Sequence, residues 1–217
     1  MSQFRRGALI ALALLLTGLQ TPLAAETAVV FAHENLATWR HESFSGETHY
    51  ALVEEDGTTF LQARSEDAAS ALLREISVDL NKTPYINWRW RVSRTYGEGI
   101  DERSKSGDDY PARVYLVVRD GFLPWQVLAV NYVWSSSQPV GSHWPNAYTD
   151  RAMMLAVRSG DAGLGHWQEE KRNVREDFKR LFGRDIDSVD AVAIMVDSDN
   201  YHGSAQSDFG DIRFSED

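Results

Sequence analysis

Hydrophobic and polar residues alternate along much of the chain with a period of two. Between residues 86 and 92, apolar Ile, Trp, Trp and Val alternate with Asn, Arg and Arg, and a similar alternation runs through 76–80 and 113–118. Successive side chains of a β-strand point to opposite faces, so this pattern predicts strands with one buried face. Short apolar runs bounded by turn residues predict the other strands, which are Val29–Ala32, Tyr50–Val53, Thr59–Ala63, Val127–Trp134, Ala152–Arg158, Ala191–Asp197 and Asp208–Phe214.

One helix is predicted near residues 174–182. Asn173 can cap its first turn, Glu176 stands three residues later as in a capping box, and Gly183 can end it. Its apolar stripe consists of Val174, Phe178, Leu181 and Phe182. Residues 67–74 are a weaker helix candidate, because the alternation that follows them favours a strand.

The N-terminus has the pattern of a secretory signal peptide. Arg5 and Arg6 precede a 12-residue, mostly apolar run from Ala8 to Leu19, and small residues follow as far as Ala25. A membrane-spanning helix needs about 20 apolar residues, so this run is too short to be an anchor. We expect cleavage after Ala25 and export to the periplasm, with release from the cell as the alternative. No later segment is apolar enough to span a membrane.

The strand and helix patterns together predict an all-β fold. About ten strands with one short helix are typical of a two-sheet antiparallel β-sandwich, of the jelly-roll or galactose-binding-like type. Residues 26–217 are long enough for one sizeable core, so we expect a single domain after the signal peptide. The chain contains no Cys, so packing alone must stabilise this domain. The polar stretch 94–109 is the longest loop in this prediction, and we expect it to be mobile.

The charge of the chain narrows the range of partners. The whole sequence carries 22 basic and 32 acidic side chains, and removing Arg5 and Arg6 with the signal peptide leaves a formal charge of −12. Nucleic acids and anionic membranes favour clustered Lys and Arg, so neither is an expected partner. Saccharides, cations and basic peptides remain compatible with this charge.

Several blocks of residues, taken in order, resemble a known family. The blocks are Asn87–Val92, Gly107–Tyr115, Trp144–Tyr148, Glu170–Phe178, Ala191–Asn200 and Phe209–Ile212. Their order and spacing resemble the bacterial exported family of unknown function called DUF3047, over about residues 28 to 215. The resemblance implies a β-sandwich similar to galactose-binding-like or lectin-like sandwiches in a periplasmic or secreted protein. It carries no activity that could be transferred residue by residue.

Acidic side chains near strand ends form a candidate metal site. Asp197, Asp199 and Asn200 end a predicted buried strand, Asp208 lies just beyond, and an Asp108-Asp109 pair precedes another strand. Calcium takes six to eight oxygen ligands, so this pattern is compatible with a structural calcium ion. The alternative is that these residues form turns and solvated loops.

Outward polar and aromatic residues form a candidate binding groove. Arg113 and Tyr115 alternate with core-facing residues, and Asn131 lies in an otherwise apolar strand. Aromatic rings can stack on sugar rings, and we expect Trp144 to be exposed in a turn-rich loop, with Trp125 as the next candidate. The proposed ligand-binding set is Arg113, Tyr115, Asn131, His143, Trp144 and Tyr148. Trp88 and Trp90 share a face with Ile86 and Val92 and are expected in the core.

Three functional hypotheses follow. The leading one is an exported, noncatalytic β-sandwich that binds a saccharide. The alternative is a carbohydrate-active enzyme, either a polysaccharide lyase or a glycoside hydrolase. Its candidate catalytic residues are His143, Tyr148, His166, Glu169 and Arg172, which supply the residue types that these reactions use. The third hypothesis is a structural envelope protein that docks a partner. No motif of a known nucleophile or metalloprotease is present in the sequence.

Overall fold

Two β-sheets packed face to face make up the part of the chain that the computed structural model describes, residues 27–121 and 126–217. Its strands are β1 (Thr27–Phe31), β2 (Arg40–Ser45), β3 (His49–Glu55), β4 (Thr58–Glu66), β5 (Ala69–Asp79), β6 (Tyr85–Val92), β7 (Ala112–Arg119), β8 (Val127–Ser135), β9 (His143–Asn146), β10 (Thr149–Ser159), β11 (Gln168–Asn173), β12 (Ser188–Asp197) and β13 (Ser204–Ser215). The helix α1 spans Val174–Phe182, and 3₁₀ turns span His33–Thr38 and Lys105–Gly107. The predicted all-β sandwich is confirmed. The signal peptide and Trp125 lie outside the described residues.

The six-stranded sheet has the order β11-β6-β13-β4-β3, with β1 also paired to β13. β13 is long enough to pair β4 along its first half and β1 along its second half. The seven-stranded sheet has the order β2-β5-β12-β7-β8-β10-β9. Its β8 and β10 run parallel, which is an exception to the predicted antiparallel pairing. The connection between β8 and β10 contains β9. This strand pairs with β10 on the side away from β8 and forms the edge of the sheet.

The core lies between the two sheets and is rich in aromatic rings. Trp88 and Trp90 are buried on β6, as their alternation predicts. Trp88 stacks on Tyr132 of the facing sheet with 5.2 Å between ring centroids, and Trp90 lies 6.0 Å from Trp134. Each aromatic pair of this kind contributes about 0.5–1.5 kcal/mol beyond the burial of its area. The inward faces of both sheets are thereby committed to packing, so a ligand site has to lie elsewhere.

Helix α1 begins and ends at the predicted residues. The Asn173 side chain accepts from the Glu176 amide at 3.2 Å, and Gly183 ends the helix with φ 66°, a left-handed conformation that favours glycine. Val174 and Phe178 pack into the main core between the sheets. Buried Asp177 accepts from the Tyr132 hydroxyl at 3.0 Å, which ties the helix to β8 from the core side. The helix therefore leaves the outer face of the seven-stranded sheet free.

The structure corrects several local predictions. Residues 69–79 form strand β5, as the alternation over 76–80 favours, and the weaker helix candidate at 67–74 is not formed. Strands β2, β9 and β11 were not predicted; each lies at a sheet edge with mostly exposed or half-buried side chains, so none shows a clean alternation. The 94–109 loop, expected to be mobile, is packed: Tyr96 and Glu102 are buried in it. In the part of the chain that the structure describes, no helix is both long and apolar enough to cross a membrane.

Candidate ligand-binding site

A cavity of about 490 Å³ opens on the outer face of the seven-stranded sheet. The face is outward because Tyr115 and Asn131 alternate with buried core residues of β7 and β8, and these two side chains lie opposite each other in the sheet. The lining residues come from all seven strands of the sheet and from three loops: Phe44, Ser45, Ala69, Asp108, Arg113, Tyr115, Ala129, Asn131, Asn146, Tyr148, Ala152, Met195, Asp197, Asp199 and Asn200. The predicted groove residues Arg113, Tyr115, Asn131 and Tyr148 thus share one cavity.

Small side chains create the cavity floor. Ala69, Ala129 and Ala152 occupy outward positions on three strands, where larger residues would fill the space above the sheet. Tyr115 and Met195 form the rest of the floor, with the Tyr115 hydroxyl donating to the Met195 sulfur at 2.8 Å. The floor is therefore apolar, and its aromatic ring is held in place.

One end of the same face is closed by a second apolar cluster. Trp144 packs there with Tyr110, Val133, Met154 and Ala156. Its indole N–H donates to the Glu102 carbonyl at 3.2 Å and to the Tyr110 hydroxyl at 3.3 Å. Trp144 is only 3% exposed, so the expectation of an exposed loop tryptophan was wrong. The reason is that the 94–109 loop folds over it, a contact between segments about 40 residues apart in the chain.

A buried ion pair forms the base of the cavity wall. Arg113 Nε donates to Asp197 Oδ1 at 2.9 Å, and Arg113 Nη2 donates to Asp197 Oδ2. Nη2 also donates to the Asp108 carbonyl at 2.6 Å, and the Tyr110 amide donates to Asp197 Oδ1 at 3.0 Å. Two-point pairing of this kind fixes both side chains. Arg113 lines the cavity as predicted, but its charge is already compensated by Asp197.

Three further aspartates gather beside this pair. Asp109 is 0% exposed and accepts from Asn200 Nδ2 at 3.1 Å and from the Tyr201 amide at 2.5 Å. Burial, together with the charge of Asp109, raises the pKa of the Asp199 carboxyl. Asp108 is 5% exposed, and burial raises the pKa of its carboxyl as well. Four carboxyl groups, those of Asp108, Asp109, Asp197 and Asp199, therefore lie at or beside the cavity wall, and Arg113 is the cationic side chain among the lining residues.

One carboxylate oxygen in this wall accepts no hydrogen bond from the described residues. Asp108 Oδ2 accepts from Asn146 Nδ2 at 2.8 Å. Asp108 Oδ1 is buried and has no hydrogen-bond partner within residues 27–121 and 126–217. Since buried polar atoms are nearly always partnered, this oxygen marks a position where the protein alone leaves an acceptor unsatisfied.

The candidate metal ligands divide between the two sheets. Asp197 and Asp199 do lie together, and Asp109 joins them. One carboxylate oxygen from each of these three residues lies within 4.8 Å of the other two. Asn200 donates to Asp109 and Asp199. Asp208 does not join them: it lies on β13 of the other sheet, where it accepts from Arg91 Nε at 2.8 Å. The proposed set of four was wrong in Asp208, because strand β13 presents this side chain with the outward residues of β6.

Two exposed aromatic rings flank the cavity. Phe44 is 67% exposed on β2, at one edge of the sheet, and Tyr148 is 59% exposed beside β9 and β10, at the opposite edge. The Tyr148 hydroxyl donates to Asn200 Oδ1 at 3.3 Å, and Lys105 Nζ lies 5.0 Å from the Tyr148 ring centroid. Phe44 was missed from the sequence because β2 has no alternating pattern. The cavity thus runs across the strands of the sheet, with Phe44 at one end and Tyr148 at the other.

The remaining candidate catalytic residues are spread over the molecule. His143 is exposed on the edge strand β9 of the seven-stranded sheet, whereas Glu169 and Arg172 lie on β11 of the other sheet. Arg172 is paired with Asp177, with Nε to Oδ2 at 2.9 Å. His166 is exposed in the turn before β11. Among these five residues only Tyr148 lines the cavity, so the structure does not assemble them into one site.

Comparison with known proteins places the chain in a family without adding an activity. No curated protein matches the sequence. A family 29 carbohydrate binding module from Piromyces equi, CBM29_1, is 12% identical with a TM-score of 0.39, covering 90% of this chain and 93% of that one. A cellulase derived from Cel12A of Rhodothermus marinus is 10% identical with a TM-score of 0.42, covering 87% and 100%. Endoglucanase 3 of Trichoderma harzianum, from family GH12, is 8% identical with a TM-score of 0.39, covering 89% and 98%.

At these low identities and TM-scores, the three solved structures indicate no function for this protein. The family match is of another kind, because it covers residues 37–213 and so nearly all of the described chain. It is a match to the family described as "Protein of unknown function (DUF3047)", and it includes every strand from β2 to β12. The protein belongs to the DUF3047 family.

Proposed function

We propose that this protein is an exported, noncatalytic binding protein, and that it binds a saccharide in the cavity on the seven-stranded sheet. One observation carries the proposal: an apolar floor, converging polar groups and two exposed aromatic edges meet in a single cavity of about 490 Å³. Small-molecule sites occupy about 300–1,000 Å³ and combine apolar walls with a few well-placed polar groups.

The chemistry of the cavity suits a sugar. The C–H faces of a sugar ring are apolar and pack against flat aromatic or small apolar surfaces, which Tyr115, Phe44 and the alanine floor supply. Sugar hydroxyls both donate and accept, and the side-chain amides of Asn131 and Asn146 carry both functions at the cavity wall. Because the cavity runs across the strands from one sheet edge to the other, it could admit part of a chain of sugars as well as a single ring.

The polar groups of the cavity are held in place before any ligand arrives. Arg113 is fixed by Asp197, and Asn146 is bonded to Asp108. A binding site whose side chains are already ordered loses less conformational entropy on binding, which favours affinity. This supports a rigid recognition surface.

Catalysis is less well supported by the geometry. A glycoside hydrolase needs two carboxyl groups that both reach the substrate, about 5–5.5 Å apart when the enzyme retains configuration. Asp109 and Asp199 are close enough, but Asp109 is fully buried and its oxygens are hydrogen-bonded to Asn200 and Tyr201. The other acid–base candidates, His143, His166, Glu169 and Arg172, do not line the cavity. Binding without turnover is therefore our conclusion.

A glycan array tests the binding proposal. We expect the protein without residues 1–25 to bind a restricted set of saccharides, and Tyr148→Ala and Phe44→Ala to weaken that binding. Leu52→Ala is the matched control, because Leu52 is an exposed apolar residue on β3 of the other sheet. Absence of binding across a broad array, or equal loss in the control, would contradict the proposal. Incubation with uronate and neutral polysaccharides, with detection of new double bonds and reducing ends, distinguishes the enzyme hypothesis.

A further inference from the structure

We propose that the saccharide bound in this cavity carries a protonated amine, and that Asp108 and Asp199 hold the ammonium group. This inference rests on the proposed function and specifies the class of ligand. It concerns amino sugars with a free amine, as opposed to neutral or N-acetylated sugars.

The charges around the cavity do not balance. Asp108, Asp197 and Asp199 line it, and Asp109 lies directly beside them, whereas Arg113 is the cationic side chain among the lining residues. Arg113 is committed to Asp197 and to the Asp108 carbonyl. For Asp108, Asp109 and Asp199, the described residues provide no ion pair. A positive charge is therefore the component that the cavity wall lacks.

Asp108 locates this missing charge. Its Oδ1 is buried and unpartnered, and Asp108 is one of the residues that line the cavity. A lone hydroxyl would satisfy the hydrogen bond and leave the charge uncompensated. An ammonium group has three donors and a full positive charge, so it can fill the acceptor and offset the carboxylate together. Asp199, half-buried at the same wall, provides the second acceptor.

The walls of the cavity fit an organic cation. Aromatic faces attract cations, and the Lys105 ammonium already lies 5.0 Å from the Tyr148 ring at the rim. The alanine floor and Met195 match the carbon skeleton of a sugar ring.

A bare metal ion fits less well. The guanidinium of Arg113 is bonded to Asp197, one of the three aspartates that would ligate a metal, and its positive charge repels a divalent cation there. Both oxygens of Asp109 already accept hydrogen bonds from Asn200 and Tyr201. Asp108 Oδ1, the unfilled acceptor, lies outside this group of three.

The test compares two oligosaccharides with the same sugar backbone, one with a charged amine and the other with a neutral acetamide at the same carbon. The probes are a β-1,4-linked glucosamine oligomer and the N-acetylglucosamine oligomer of the same length. Binding is measured by calorimetry at low salt, at a pH where the amines are protonated and the exposed carboxyls ionised. We expect the glucosamine oligomer to bind at least about tenfold more tightly, which is the effect of one charge-assisted hydrogen bond. The difference should shrink as salt is added.

Charge-neutral variants locate the effect. Asp108→Asn and Asp199→Asn should each weaken binding of the glucosamine oligomer by about tenfold while leaving the acetylated probe much less affected. Asp199 is the safer site, because it is more exposed than Asp108 and its substitution puts less of the fold at risk. Asp211→Asn, an exposed aspartate on β13 of the other sheet, is the matched control and should change neither affinity. A melting curve for each variant confirms folding.

Each contrary result has a separate meaning. Equal or tighter binding of the acetylated oligomer overturns the charge inference and leaves saccharide binding intact. Binding of other saccharides on the array, with neither probe bound, overturns it in the same way. No saccharide binding at all overturns the proposed function, and this inference with it. Calcium ions that bind alone, and lose affinity in Asp199→Asn, assign the acidic wall to a metal and overturn the inference.

Discussion

Arg113 and Asp197 form a two-point ion pair beneath the cavity, with Nε to Oδ1 at 2.9 Å and a second bond from Nη2 to Oδ2. The two residues belong to neighbouring strands, β7 and β12, and lie 84 residues apart in the chain. Their pairing joins the end of β12 to the loop that carries Asp108, because Nη2 also binds the Asp108 carbonyl. The pair therefore sets the shape of the acidic wall.

Removing one partner of this pair should be costly. Arg113→Met leaves Asp197 buried without a cation, and we expect the free energy of unfolding to fall by about 3–5 kcal/mol in urea denaturation. The double variant Arg113→Met with Asp197→Leu should recover part of this loss, since replacing both charges avoids an unpaired one. Arg175→Met, at an exposed pair with Asp185, should leave stability nearly unchanged. If Arg113→Met alone is at least as stable as the double variant, the unpaired charge of Asp197 is not the cause of the loss.

Glu102 should make stability depend on pH. Burial raises the pKa of its carboxyl, although the Ser135 hydroxyl and the Ser136 amide bind it and act in the opposite direction. A carboxyl whose pKa is higher in the folded state stabilises the protein most below its unfolded pKa of about 4.3, and this contribution is lost as the pH rises through the folded pKa.

The variant Glu102→Gln isolates this effect. We expect the free energy of unfolding of the wild type to fall relative to that of Glu102→Gln as the pH is raised from about 4 toward neutrality. Denaturant titrations of both proteins across that range provide the measurement. Glu98→Gln serves as the control, because Glu98 is exposed in the same loop. Parallel pH curves for the wild type and Glu102→Gln would rule the effect out.

Calcium should have little influence on stability. Since Arg113 compensates Asp197 and hydrogen bonds occupy Asp109, we expect calcium added to chelator-treated protein to leave the melting temperature unchanged. Magnesium and sodium at matched ionic strength are the controls. A rise specific to calcium would restore the metal site predicted from the sequence, with Asp109 in place of Asp208.

The cap of α1 should contribute measurably to stability. Asn173→Ala removes the acceptor of the Glu176 amide, and the expected loss is about 1 kcal/mol in the free energy of unfolding. Asn173→Ser keeps an acceptor and should lose much less. Equal losses in both variants would indicate that Asn173 acts through other contacts.

Export can be tested at the N-terminus. We expect the protein recovered from a bacterial periplasm to begin at Glu26, as read by N-terminal sequencing. A variant without residues 2–25 should stay in the cytoplasm. A full-length chain in the periplasmic fraction would contradict cleavage after Ala25.

Local pattern was sufficient for much of the fold. The helix follows from Asn173, Glu176 and Gly183, whose effects depend on backbone geometry within a few residues. The strands with one buried face follow from the period of two, and the burial of Trp88 and Trp90 follows with them. The same alternation placed Tyr115 and Asn131 on the outward face. These features depend on neighbours in the chain, so the sequence by itself determined them.

Only the tertiary structure decided how the site is assembled. Asp109 joins Asp197 and Asp199 because strands distant in the chain become neighbours in the sheet, whereas Asp208 leaves them because β13 belongs to the other sheet. Trp144 is buried because the 94–109 loop folds over it. The edge strand that carries Phe44 has no alternation to detect. Sheet order and loop packing are long-range properties, and a periodic pattern records which face a residue occupies but not which residues share that face.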